Sequence, residues 1–214
     1  MNISKKIVLL GFVFAFSGII HAQTMIHPKV GIIGVHPFST PNRHLFENRI
    51  DSEAWFVTEP LLMVSIESLI KSDYFSWRIM PGFYSDAASK PGFFFNAALK
   101  FRLFQSWRNS LHVAVGGSIV GRQLWNTIPG YVYESGFKTN GTWEYRICPF
   151  AELEYAFFLH DKGDITCSVL YGHQHETFTF SLGYRIWLST VIKHPAHCGT
   201  CPYEKADGKY KKYK

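Results

Sequence analysis

The chain has few cysteines, little net charge and, beyond its first twenty or so residues, no apolar run long enough for a membrane helix. A helix that crosses a bilayer needs about 20 consecutive apolar residues, so any crossing made by the body of the chain is made by strands. The formal charge of +6 includes Lys5 and Lys6 at the N-terminus, and from Lys193 onward six lysines face only Glu204 and Asp207. The residues between are close to neutral, so the basic balance belongs to a tail, and a nucleic-acid-binding surface is excluded. Of the four cysteines, Cys148 and Cys167 fall on opposite faces of adjacent predicted strands and should not pair.

The opening MNISKKIVLLGFVFAFSGIIHAQ combines a basic start, an apolar stretch from Ile7 to Ile20 and a small residue, Ala22, ahead of Gln23. This is the pattern of a secretory signal peptide, residues 1–22, cut after Ala22. No lipobox cysteine follows, so no lipid anchor is expected. The remainder is enough for one domain, and it is rich in aromatics, with 19 Phe and 11 Tyr, and carries 17 Gly across the whole chain.

The clearest signal is Trp143 to Phe157. Its odd positions are apolar or aromatic, and its even positions include Glu144, Arg146, Cys148, Glu152 and Glu154. A period of two is a strand. Aromatics at both ends of the apolar face and ionisable groups along the other describe a strand with lipid outside and a polar lumen inside. The same alternation predicts seven further strands at Lys29 to Val35, Trp55 to Ile66, Phe75 to Phe83, Phe93 to Leu103, Leu111 to Gly121, Ile165 to Tyr171 and Thr177 to Trp187. Pro60 interrupts the second, which calls for a bulge or kink. The expected fold is all-β, an eight-stranded antiparallel up-and-down transmembrane β-barrel over residues 23–190. A short basic periplasmic tail, 191–214, follows it.

An even strand count returns the chain to the side on which it began. Short polar turns at 68–73, 105–110 and 159–164 are then periplasmic, and the longer connections 37–52 and 123–140, with 86–91 and 172–176, face outward. This places the chain in a bacterial outer membrane of the Gram-negative kind, in contact with outer-membrane lipid and lipopolysaccharide. A barrel of eight strands has its interior filled by side chains. The predicted lumen gathers Glu59, Glu67, Glu152 and Glu154 with Arg78, Lys100, Arg102, Arg122, Arg146 and Arg185, and groups of both signs shut away from lipid should pair. The expected role is non-enzymatic, structural or exercised through the outer loops and tail, with no cofactor.

Residues able to carry chemistry collect at the outer rim: His36 and His44, then Ser85, Asp86 and Ser89, then Arg122 to Pro129, and finally His173, His175 and Glu176. The segments YSDAAS (Tyr84 to Ser89) and RQLWNTIP (Arg122 to Pro129) resemble parts of the lipid A palmitoyltransferase family, and the resemblance covers about a fifth of the chain. It implies an eight-stranded outer-membrane barrel in which a first-loop histidine, His36 or His44, works with Ser85 and Asp86 on an acyl group. Here the serine precedes the aspartate and Ala87 follows it, which departs from the family's order. Ser85, Asp86 and Ser89 are equally the residue types of an ordinary turn. His173, His175 and Glu176 have spacing that suits either a metal or a polar loop. In the tail, His194, His197, Cys198 and Cys201 offer four candidate zinc ligands in eight residues, although an oxidising compartment makes a disulfide the simpler outcome. The tail's positive charge calls for an acidic periplasmic partner.

Overall fold

A computed structural model describes residues 24–38, 40–70, 74–106, 108–134, 136–160, 163–172 and 177–188. The expected signal peptide, 1–22, and the expected tail, 191–214, with its four candidate ligands, lie outside the described residues. So do His173, His175 and Glu176.

Nine strands are described: β1 (Thr24–Val35), β2 (Phe56–Leu69), β3 (Phe75–Ser85), β4 (Pro91–Gln105), β5 (Asn109–Gln123), β6 (Lys138–Asn140), β7 (Trp143–His160), β8 (Gly163–Tyr171) and β9 (Phe178–Trp187). Eight of them form one closed antiparallel sheet in the order β5-β4-β3-β2-β1-β9-β8-β7, sealed by the pairing of β5 with β7. The strand ladder that leaves Lys29 through β2 arrives at Arg146 on β7; the one that leaves it through β9 arrives at Ala156, ten residues further along. Such a stagger tilts the strands and fixes a narrow interior that side chains can fill.

The expected eight strands are present, but several of their limits are corrected. β1 begins at Thr24 rather than Lys29, because Met25 and His27 already point inward while His27, Pro28 and the later glycines hide the alternation. Ladders on β2, β4, β5 and β7 also run beyond the apolar belt, to Leu69, Gln105, Gln123 and His160, into stretches that no longer alternate. The interruption at Pro60 is a bulge. Gly31 faces Leu61 and Ile33 faces Thr58, so Ile32 stands opposite both Glu59 and Pro60. The small strand β6 was not anticipated; it lies inside the third long connection and pairs only with the outer end of β7, across a turn at Gly141 (φ 61).

Outward-facing residues are those that lipid demands. Val30, Leu62, Val64, Ile66, Leu99, Val115, Ile119, Leu153 and Leu182 are exposed on the wall. Aromatic pairs flank them, Phe93 with Trp143 (5.5 Å between ring centres) and Tyr171 with Phe178 (5.0 Å) toward one end, and Phe75 with Phe101 (5.2 Å) toward the other. Connections 36–55, 86–90, 124–142 and 172–177 share the first end, and the short turns the second, so the first is the outer end.

The lumen has two halves. Toward the turns it is ionic. Toward the outer end it is apolar, packed by Leu61, Met63, Met80, Tyr84, Phe94, Val120, Cys148, Phe150 and Leu170. Gly82 makes this packing possible, because a Cβ there would run into the Phe94 ring.

Candidate functional site

An ionic plug fills one half of the lumen, and a cover of loops closes over the outer mouth. In the plug, Lys29 of β1, Arg78 of β3, Lys100 of β4 and Arg185 of β9 meet Glu67 of β2, Glu152 and Glu154 of β7 and Asp164 of β8. Lys29 lies between Glu152 and Glu154, 2.5 Å from the latter. Lys100 Nζ bridges Glu67 (2.8 Å) and Glu154 (2.7 Å), Arg78 holds Glu152, and Arg185 holds Glu154. Ser76 donates to Glu67 at 2.6 Å, and the Trp187 indole N–H to Asp164 at 2.8 Å. The plug thus balances four cations against four carboxylates, and Lys29, Arg78, Lys100, Glu152 and Glu154 are all at most 2% exposed. Balance is required, since an uncompensated buried charge costs several kcal/mol.

The residues expected in the lumen are therefore divided. Arg78, Lys100, Glu152, Glu154, Glu67 and Arg185 are brought together, joined by Lys29 and Asp164, which alternation alone did not single out. Glu59 and Arg122 sit instead near the outer mouth. Arg102 is half-buried over the Tyr74 ring (4.8 Å), and Arg146 half-buried over Phe137 (5.8 Å).

The cover is built by three connections. Loop 36–55 contributes Leu45, Phe46 and Ala54, loop 86–90 contributes Ala87 and Ala88, and loop 124–142 contributes Trp125, Ile128 and Tyr131, packed together over Val57 of β2. Asn42, fully buried, acts as a clasp: its amide donates to Val132 O (2.8 Å) and to Glu134 Oε1 (2.8 Å), and its Oδ1 accepts the Val132 N–H (2.7 Å). His44 places one ring nitrogen 3.0 Å from Pro41 O and the other 3.2 Å from Gly130 O. Arg122 donates to Glu144 (2.5 Å) and Glu134 (3.0 Å), with its guanidinium 4.2 Å from the centres of both the Trp125 and Phe137 rings.

Both segments singled out in the sequence belong to this cover, and one contact joins them. Trp125 Nε1 donates to Asp86 Oδ2 at 2.6 Å, while Asp86 Oδ1 accepts the N–H groups of Lys90 (2.7 Å) and Ala88 (3.1 Å). Burial pushes the Asp86 carboxyl up to about 6, the Trp125 and Lys90 donors and the Arg122 charge opposing the shift without cancelling it. Asp86 thus ties loop 86–90 to loop 124–142. The structure does not bring His44, Ser85 and Asp86 into mutual hydrogen bonding: His44 faces carbonyls, and Ser85 ends β3 opposite Pro91. His36 is engaged elsewhere, 3.1 Å from Glu59 Oε1 and 3.4 Å from Thr177 Oγ1.

A closed sheet with an apolar exterior pairs the backbone of its wall strand to strand and leaves no open edge, which is what a hydrocarbon layer demands. The chain is a small eight-stranded transmembrane β-barrel. No family model matches it, and no curated protein does. Among solved structures, the barrel is similar to Neisserial surface protein A (7% identity, TM-score 0.49, covering 76% of this chain and 96% of that one). The N-terminal β-barrel domain of Pseudomonas aeruginosa OprF matches with 10% identity and TM-score 0.46, over 78% of this chain and 100% of that one. Ail of Yersinia pestis, in complex with a heparin analogue, matches with 10% identity and TM-score 0.43, over 78% and 97%.

Proposed function

We propose that this barrel is a sealed, non-conducting outer-membrane protein that acts through its outer cover, with outer-leaflet lipid and lipopolysaccharide as its immediate partners. The observation that carries this reading is that the cover has a hydrophobic core of its own, around Phe46 and Trp125, and so presents a fixed surface. Phe38, Val132 and Tyr133 are exposed on it. At its edge, residues 48–50 run back along β2, Arg49 bridging to Val57 and the Ile50 N–H bonding to Phe56 O. Ile50, Trp55 and Phe56 are exposed there beside Arg49, an apolar strip ending in a cation, which is the chemistry of an anionic lipid headgroup on its chains. The basic tail is an additional site for an acidic periplasmic partner.

The test has two arms. In planar bilayers the purified barrel should pass no ions, and a steady conductance would remove the sealed reading. Lipopolysaccharide retained through detergent purification, measured as phosphate, should fall in an Ile50→Ser, Phe56→Ser, Arg49→Ser variant; unchanged retention counts against the lipid contact.

Lipid A acyl transfer is a second reading, favoured by one observation: the outer half of the lumen is apolar, where sequence alternation led us to expect charge throughout. Against it, Asp86 is saturated by N–H donors and His44 by carbonyls. Mass spectrometry of lipid A from cells with and without the protein separates the two readings.

A further inference from the structure

Glu59 is the exception among the buried acids of the strands. Glu67, Glu144, Glu152, Glu154 and Asp164 each contact a lysine or arginine, whereas among the described residues the only basic side chain that contacts Glu59 is His36. Glu59 is 1% exposed and its Oε2 has no hydrogen-bond partner; Gly34 leaves the space this oxygen occupies, since a Cβ there would overlap it. The other ring nitrogen of His36 meets the Thr177 hydroxyl just before β9. A carboxylate, an imidazole and a hydroxyl in line are the parts of a nucleophilic relay, but Thr177 is 1% exposed and closed to substrate. The arrangement is better suited to holding something shut.

His36 is the hinge of the cover. It is the first residue after β1, its N–H bonds to Trp55 O at the far end of the loop (2.8 Å), and its carbonyl accepts from Arg43 (2.7 Å). Its ring lies 4.7 Å from that of Phe46, in the core of the cover. We propose that Glu59 and His36 form a proton-held latch, sharing one proton while the cover is closed and releasing loop 36–55 when that proton is lost. With the proton, the pair is a charge-assisted hydrogen bond of no net charge. Without it, a closed cover buries a carboxylate that no cation balances, and opening lets water reach it.

The groups around the pair leave this direction in place. Thr177, just before β9, is neutral. Asp86 of loop 86–90 lies within electrostatic reach of Glu59 and adds a second negative charge. Tyr84 of β3 also lies within electrostatic reach of Glu59, and is neutral. Arg122 of β5 is held by Glu134 and Glu144, and Arg43 by the His36 and Phe38 carbonyls, with its guanidinium over the Trp55 ring (4.9 Å).

The inference rests on the cover being a closed structure, and the test keeps the two apart. In protein whose native cysteines are replaced by serine, Ala88→Cys reports the core of the cover and Asn126→Cys an exposed position of the same cover. The ratio of their maleimide labelling rates removes the intrinsic pH dependence of the thiol. Between about pH 6.5 and about pH 8.5, above the window in which Asp86 loses its proton, the ratio should rise several-fold. Glu59→Gln keeps the hydrogen bond to His36 without the buried charge and should flatten the rise, whereas Asp86→Asn should leave most of it. A ratio that is low and flat in the unmodified barrel overturns the latch alone; a ratio near one at every pH overturns the closed cover as well. An equally steep rise in Glu59→Gln also overturns the latch, provided that variant keeps the heat-modifiable gel shift of a folded barrel.

Discussion

At the scale of single residues, the two buried acids Glu154 and Asp86 show opposite ways of keeping a carboxylate from water. Glu154 contacts Lys29, Arg78, Lys100 and Arg185, so its loss leaves four cations to share only Glu67, Glu152 and Asp164. Glu154→Leu should cost about 3 to 5 kcal/mol, read as a lower urea midpoint for the heat-modifiable form. Asp86 has donors but, among the described residues, no contacting cation, and burial pushes its carboxyl up to about 6 against 3.8 when free. The closed cover therefore binds this proton more tightly than the open one, and its stability declines as pH rises from about 4 to about 6, by an amount on the order of 3 kcal/mol. Fluorescence of Trp125, whose indole donates to Asp86, should titrate in that window, and the titration should vanish in Asp86→Asn. A pH-independent emission would show that the contact does not carry the proton.

At the scale of elements, alternation located the wall because lipid imposes the same apolar rule on every outward position. Leu99→Arg and Leu153→Arg, both exposed on that face, should each cost about 2 to 4 kcal/mol and lower the yield of heat-modifiable protein. Inward positions obey no single rule. The charged ones were legible, but Met63, Met80, Phe94 and Phe150 face the same interior, and an apolar residue at an inward position looks in sequence like noise. Lys29 escaped the list of lumen charges because the predicted strand began at it, leaving no preceding alternation to assign its face. The cover was less legible still. Its contacts join residue 42 to residue 132 and residue 86 to residue 125, and no local period records such pairs. Asn42→Ala should free loop 36–55 without disturbing the wall: cleavage by protease in that loop should quicken several-fold, in keeping with the loss of buried hydrogen bonds worth about 1 kcal/mol or more each, while the gel shift is kept.

At the scale of the whole molecule, the plug joins parts of the chain that are far apart in the order of synthesis. Lys29 lies on the first strand and its partners Glu152 and Glu154 on the sixth strand of the wall, while Arg185 on the last strand reaches Glu154 as well. A barrel with only its early hairpins in place would carry Lys29, Arg78 and Lys100 with Glu67 as their one carboxylate partner from the plug. Such a partial sheet gains little from entering hydrocarbon, because the charges it brings are matched only when the later strands arrive. Insertion and closure should then occur as one concerted event, with no stable half-inserted species. The ionic interior would serve as the checkpoint that makes assembly all-or-none.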